Sequence, residues 1–271
     1  MTKTLTKPKE RPILFKTPMV QAIFGDLKAV TRRLPTGPTE LCVNLDEPYP
    51  YAFRDRKGLW HTYKTLTELI ERRSPYGKPG DILWLRETWR PRSWGNEFEW
   101  MCVEYRADQG TERESFKLDV KPEECWPDFL RLESTWERLS QECIDAGCPR
   151  QGDGFILAGE DGMFPIKWRP SIFMPRAACR LLLRVKDVRV ERLQDITEAQ
   201  AISEGINQFS EGYAGLNYDL GKGQLTREPI QAFRWLWDKI NGPRGYGWDT
   251  NPWLWVVEFE RVDTAIKEAT S

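Results

Sequence analysis

The sequence predicts an α+β protein built on a small mixed β-barrel with helical decoration. Segments with helical or strand periodicity run in the order helix, strands, a long irregular stretch, strand, short helix, longer helix, strand. Helices therefore do not alternate with strands, as a doubly wound sheet requires. The strongest strand patterns, Arg180 to Leu193 and Trp253 to Val262, lie in the second half. A chain of 271 residues with 40% hydrophobic content has enough apolar material for a core around them.

Residues 1–11 are basic, contain proline and lack periodicity, which reads as a flexible tail before a single domain spanning 12–271. Thr17-Pro18 is an N-cap followed by proline at the first helical position, and Met19, Ile23 and Leu27 supply an apolar stripe. This helix delivers Lys28 to Arg33 to a turn. Residues 40–63 suggest two short strands around a Pro-Tyr-rich turn, and 64–73 a short polar helix. The turn cluster Ser74 to Asp81 leads into a strand over Ile82 to Trp89. On that strand Trp84 and Arg86 share one face. Glu87 lies on the other with Leu83 and Leu85, and if buried it needs a partner such as Arg33. Trp100 to Arg106 reads as a further strand.

Insertions are expected at about 36–75 and 107–163, the second with an acidic helix near 127–146 and a Gly-rich loop at 147–162. The long strand after Arg180 is expected to bulge near Lys186-Asp187. Thr197-Glu198-Ala199-Gln200 fits a capping box, with Gly205 placed to end the helix. Thr226 is placed to cap a helix with the stripe Ile230, Phe233, Leu236, Trp237 and Ile240, stopped by Gly242-Pro243.

Composition narrows the function. No window approaches the roughly 18 apolar residues of a spanning helix, and the start of the chain has no apolar stretch of the signal-peptide kind. A cytoplasmic location is expected. Cys143 and Cys148 have no second pair at a zinc-ribbon interval, and His61 is the single histidine, so no metal or cofactor is expected. One histidine also weakens Ser-His-Asp and Cys-His schemes. There is no P-loop or dinucleotide fingerprint. The near balance of 40 basic and 41 acidic residues hides a polarised distribution. Residues 164–192 hold eight Lys/Arg against two acids, and 107–150 eleven acids against six bases, so a basic face on a neutral molecule is one reading and an ordinary salt-laced surface the other.

Four segments in order carry a resemblance: the Lys28 to Arg33 turn after a short helix, the Pro79-Gly80-Asp81 lead into a strand, the Val188 to Gly205 strand and capped helix, and the closing Trp253 to Arg261 strand. The series resembles the ASCH domains of the PUA-like β-barrel superfamily, most of all the enlarged versions carried by phages and prophages. Gly25 to Arg33 matches their G-x-K-x-x-x-x-R signature with one extra residue between Gly and Lys. The resemblance implies a barrel of the PUA-like, ASCH type, with a cleft beside the first helix used for RNA, nucleotides or modified nucleosides. One ASCH branch is an amidohydrolase on acetylcytidine, and its lysine, threonine and glutamate carry over to Lys28, Thr31 and Glu204.

These readings leave three functions open. The first is recognition of RNA or of a (modified) nucleoside or nucleotide, with Lys28, Thr31 and Glu204 supported by Arg32 and Arg33. Trp84 would offer a stacking surface, Glu87 a buried carboxylate, and Arg169 and Arg176 phosphate contacts along the Trp168 to Arg176 lip. The second is a hydrolase, an amidohydrolase or a ribonuclease, in which a neutral Lys28 activates the Thr31 hydroxyl. The third is a phage–host protein-interaction module using 107–163.

Overall fold

A computed structural model describes residues 7–94, 100–108, 116–119, 140–151, 154–155, 166–214 and 225–262. The first half contains β1 (Glu10–Leu14), α1 (Thr17–Phe24), β2 (Val30–Arg33), β3 (Glu40–Val43), β4 (Tyr51–Arg54), β5 (Trp60–Tyr63), α2 (Leu66–Arg73) and β6 (Ile82–Arg86). Next come β7 (Trp89–Trp94), β8 (Trp100–Tyr105), β9 (Phe116–Asp119), β10 (Arg150–Gln151) and β11 (Gly154–Phe155). The last part holds β12 (Leu182–Arg192), α3 (Glu198–Ser203), β13 (Asn207–Phe209), β14 (Gly212–Ala214), α4 (Pro229–Asn241) and β15 (Trp253–Val262). Glu10 and Arg11, the end of the stretch read as a tail, are the first residues of β1.

The chain divides into two compact units. One comprises Met1–Ile13, Pro18–Leu85 and Leu181–Ser271, the other Leu14–Thr17 and Arg86–Arg180. The first is organised on a five-stranded sheet in the order β1-β6-β12-β15-β2 and also carries the β3-β4-β5 meander and the β13-β14 hairpin. The second contains the β7-β8-β9 and β10-β11 sheets. Among the described residues no helix is long and apolar enough to cross a membrane.

The expected barrel is overturned. Among the described residues no sheet closes on itself, because β1 and β2 are the two edges of the five-stranded sheet and are separated by three strands. Closure needs edge strands long and staggered enough to meet. Here β1 has 5 residues and β2 has 4, against 11 and 10 in the central β12 and β15. The fold is α+β with an open sheet. The PUA-like, ASCH-type barrel is not the architecture of this chain.

The local chemistry follows the sequence more closely. β12 pairs with β15 antiparallel from Leu182↔Val262 to Arg192↔Trp253, with the register shifting between Val185 and Asp187, where a bulge was expected. Trp255, Val257 and Phe259 are buried, and so are Leu254 and Val256 on the other face, so the strand is covered on both sides. The second cover comes from α3 and α4. Leu254 packs with Leu193, Ile196, Ala201, Ala232, Phe233, Leu236 and Trp237 in one apolar cluster. Thr197 caps α3 in a capping box with Gln200. α4 is capped at Glu228 and not at Thr226, whose hydroxyl instead accepts the Glu228 N–H at 3.2 Å, since proline at the first helical position shifts the start. The stretch 40–63 forms three strands instead of two, because the Tyr51 to Arg54 segment is itself the central strand of the meander. The acidic helix and Gly-rich loop expected within 107–163 fall largely outside the described residues, although 140–145 are helical.

The turn before β6 is held by one carboxylate. Asp81, 5% exposed, accepts the Lys9 N–H at 3.0 Å and the Lys78 N–H at 3.2 Å. Gly80 N–H donates to Val185 O and Val185 N–H to Asp81 O, each at 2.9 Å, which locks the turn to β12 beside its bulge. Gly77 is required there. Its φ is +80°, and a Cβ would stand 2.4 Å from Asp81 Oδ2, the atom that accepts the Lys78 N–H. Gly77→Ala is therefore expected to cost about 1–3 kcal/mol through strain and displacement of Asp81. Gly37→Ala, whose added Cβ meets nothing within 4 Å, should cost less; chemical denaturation of both variants checks the difference.

Candidate functional site

The segment after α1 and the end of α3 meet at a single antiparallel bridge between Lys28 and Glu204. Ala29 is the stitch. Its N–H donates to Ser203 O at 2.9 Å, and its carbonyl accepts the Phe259 N–H at 2.9 Å, which ties α3 to β15. Lys28 Nζ then donates to Glu204 Oε2 at 2.6 Å and to the Glu204 backbone oxygen at 2.7 Å. Both residues are buried, at 4% and 5% exposure. Removing one partner of such a pair costs about 3–5 kcal/mol, because the other charge stays in a poorly solvated place.

Arg32 joins from β2. Its Nη1 lies 3.5 Å from Glu204 Oε1, while Nη2 donates to Glu191 Oε2 at 3.0 Å and to Gln200 Oε1 at 2.9 Å. The same Gln200 oxygen accepts the Thr197 N–H at 2.9 Å, so the residue that closes the capping box also holds Arg32. Arg32 Nε is buried with no acceptor among the described residues. Arg33 Nε donates to Thr31 Oγ1 at 3.1 Å. Burial pulls the Lys28 amine below its ordinary value; Glu204 opposes that shift, and Arg33 and Arg32 reinforce it. Burial likewise lowers Arg33, against Tyr76 and Glu204, and raises the Tyr76 hydroxyl, against Arg33. Lys28, Arg32, Arg33, Glu204 and Tyr76 thus share one electrostatic neighbourhood, with Thr31 attached through Arg33. Tyr76, Gln200 and Glu191 were not among the sequence candidates. The capping box was the one local signal for Gln200, and nothing in the sequence marked Tyr76.

The other candidates lie elsewhere. Trp84 sits half-buried on β6 opposite Leu182. Glu87 is 1% exposed, as its place beside Leu83 and Leu85 requires. Its bidentate partner is Arg180, with Nε to Oε1 at 2.9 Å and Nη2 to Oε2 at 3.0 Å. Arg180 Nη1 also reaches Asp108 at 2.5 Å, and the guanidinium carbon lies 3.9 Å from the Tyr105 ring centroid. Burial disfavours the charged guanidinium, but Glu87 and Asp108 outweigh it and hold Arg180 above its usual value. Arg169 is engaged by Glu142 through two hydrogen bonds, at 2.9 and 3.1 Å. Arg176 opens a short 3-10 turn.

The basic run at 164–192 does not present a uniform positive face. Besides Arg169 and Arg180, Arg184 pairs with Glu260, Lys186 with Glu258, and Arg189 with Asp187, Glu191 and Glu258. Burial raises Cys143 to about 12, and Cys148 adds to it, which describes an unreactive thiol. Among the described residues no group of three His, Cys, Asp or Glu is placed to hold a metal.

No family model, no curated protein and no solved structure matches the chain. The phage and hydrolase expectations rested on the ASCH resemblance, and with neither the barrel nor a family match they lose that support. The Thr31 hydroxyl is bonded by Arg33, and two donated bonds commit the Lys28 amine to Glu204.

Two outcomes are expected. Arg180→Met, which strands two carboxylates, should destabilise the protein by about 3–5 kcal/mol, and Arg180→Met with Glu87→Met should recover much of the loss in denaturant titrations. The folded Lys28 binds its proton less tightly than the ordinary 10.5 of the unfolded chain. Between those two values the unfolded state holds more protons, so stability rises with pH there. The penalty is complete below the folded value and relieved as pH approaches 10.5. Lys28→Met should flatten this alkaline rise when unfolding free energy is followed against pH.

Proposed function

We propose that the protein recognises a nucleotide-containing ligand, RNA or a (modified) nucleoside or nucleotide, at the cluster of Lys28, Thr31, Arg33 and Glu204. The observation that supports this most is the surplus of donors. Arg32 Nε is buried without an acceptor, and buried donors in folded proteins are nearly always paired. Three cations, Lys28, Arg32 and Arg33, share the neighbourhood with two carboxylates, Glu191 and Glu204. A ligand that complements such a place brings acceptor oxygens and negative charge. Phosphates and base carbonyls supply both. Glu204 contributes the opposite chemistry, an acceptor for the exocyclic amine or ring N–H of a base. Tyr76, within the field of Arg33, adds an aromatic ring to the same neighbourhood.

The test measures binding of a short single-stranded RNA by anisotropy and of nucleosides and nucleotides by calorimetry. RNA affinity should fall as salt rises, with the release of a few counterions. Arg33→Gln should weaken binding by roughly tenfold, the worth of one charge-assisted hydrogen bond. Lys28→Arg, which keeps the charge, should retain more affinity than Glu204→Gln, which removes the acceptor and unbalances Lys28. Absence of binding to RNA, nucleosides and nucleotides alike would remove this reading.

A further inference from the structure

The first unit has a second polar feature, made of residues that the Lys28 cluster does not use. A cavity of about 280 Å³ is lined by Lys7, Lys9, Arg11, Ile70, Glu71, Gly77, Lys78 and Asp81. We infer that this cleft is a binding site for the phosphate group of a small phosphorylated ligand, with Arg11, Lys9, Lys7 and Lys78 as its cationic walls.

The charges favour an anion. Four cations face two carboxylates, and those carboxylates are already engaged. Asp81 directs Oδ1 to the Lys9 N–H and Oδ2 to the Lys78 N–H. Glu71 stands 3.8 Å from Lys78 Nζ in a half-exposed pair, which solvent screens. Lys7, Lys9 and Arg11 make no ion pair among the described residues, and Arg11 Nε is buried without a hydrogen-bond acceptor. Arg11 lines the cavity and its Nε is buried without an acceptor, so an oxyanion seated against the guanidinium would complete its hydrogen bonding. The residual charge of about +2 matches a phosphate monoester near neutral pH, which carries about −1.5 to −2.

The backbone supports the arrangement. β1 runs at the sheet edge beside β6, and Ile82 N–H donates to Lys9 O at 2.9 Å, so the strand bearing Lys9 and Arg11 is fixed against the turn bearing Gly77 and Lys78. Gly77 lacks a side chain where a Cβ would strike Asp81, which keeps that wall of the cleft low. The volume lies at the lower end for small-molecule pockets and holds a phosphate with a modest organic group attached.

Titration calorimetry with inorganic phosphate, adenosine monophosphate and adenosine tests the site in the full chain. Inorganic phosphate and the monophosphate are expected to bind and adenosine is not. Tighter binding of the monophosphate identifies an organic phosphate as the ligand class, and equal affinities identify the free anion. Arg11→Gln and Lys9→Gln should each weaken binding about tenfold. Glu71→Gln should tighten it a few-fold by removing a competing charge. Lys57→Gln, the same change of charge on the exposed β4–β5 turn, should leave it unaltered. Circular dichroism of each variant separates loss of the site from loss of the fold, and Arg11→Lys, which keeps the charge, should bind better than Arg11→Gln. The inference is overturned if neither phosphate nor the monophosphate binds, if adenosine binds as well as its monophosphate, or if folded Arg11→Gln and Lys9→Gln both retain wild-type affinity.

Discussion

The pairing of β12 with β15 carries the first unit, and every part of the candidate site is suspended from it. β2 is an edge strand of four residues whose register against β15, from Val30↔Glu258 to Arg33↔Trp255, places Thr31 and Arg32. β12 brings Glu191 within 3.0 Å of Arg32 and then continues through a 3-10 turn into α3, whose last turn presents Glu204. The loop before β6 is fixed at its own end by two bonds to Val185, one from the Gly80 N–H to its oxygen and one from its N–H to the Asp81 oxygen. Apolar burial secures the ladder on one side through Leu254 and the α3–α4 cluster, so helix packing and site geometry rest on the same two strands.

The two buried ion clusters are built on different partners. Around Arg180 a bidentate carboxylate, a second carboxylate and the face of Tyr105 absorb the guanidinium, which is what a structural cluster requires. Around Lys28 the donors exceed the acceptors, and one of Arg32's nitrogens is left over. Low local dielectric makes such an imbalance costly.

Much of the local chemistry was legible in the sequence. The β12 bulge, the capping box at Thr197 and the stripe on α4 are signals confined to a few residues, and each appears where expected. Partners distant along the chain were not legible. Glu87 could be foreseen as buried from its alternation with Leu83 and Leu85, but its partner Arg180 lies 93 residues away and carried no mark distinguishing it from Arg33. Arg169 read as part of a basic lip because the acid at Glu142 was counted in a different segment. Sheet closure failed for a related reason. A period of two reports which residues form a strand, while closure depends on whether two edges meet, a property of the whole topology.

The bulge at Lys186 also sets the parity of the strand. Before it, Leu183 and Val185 face the core; after it, Val188 does, and the charged series Asp187, Arg189 and Glu191 is turned to the opposite side. Odd-numbered residues are inside at one end of β12 and outside at the other. A strand with no bulge would carry Arg189 and Glu191 inward with the leucines, and Arg32 would lose the carboxylate that meets it. The extra residue thus acts as a phase shift in the code that relates sequence to surface. A single-residue deletion there would exchange the inner and outer faces of half a strand while leaving composition almost unchanged.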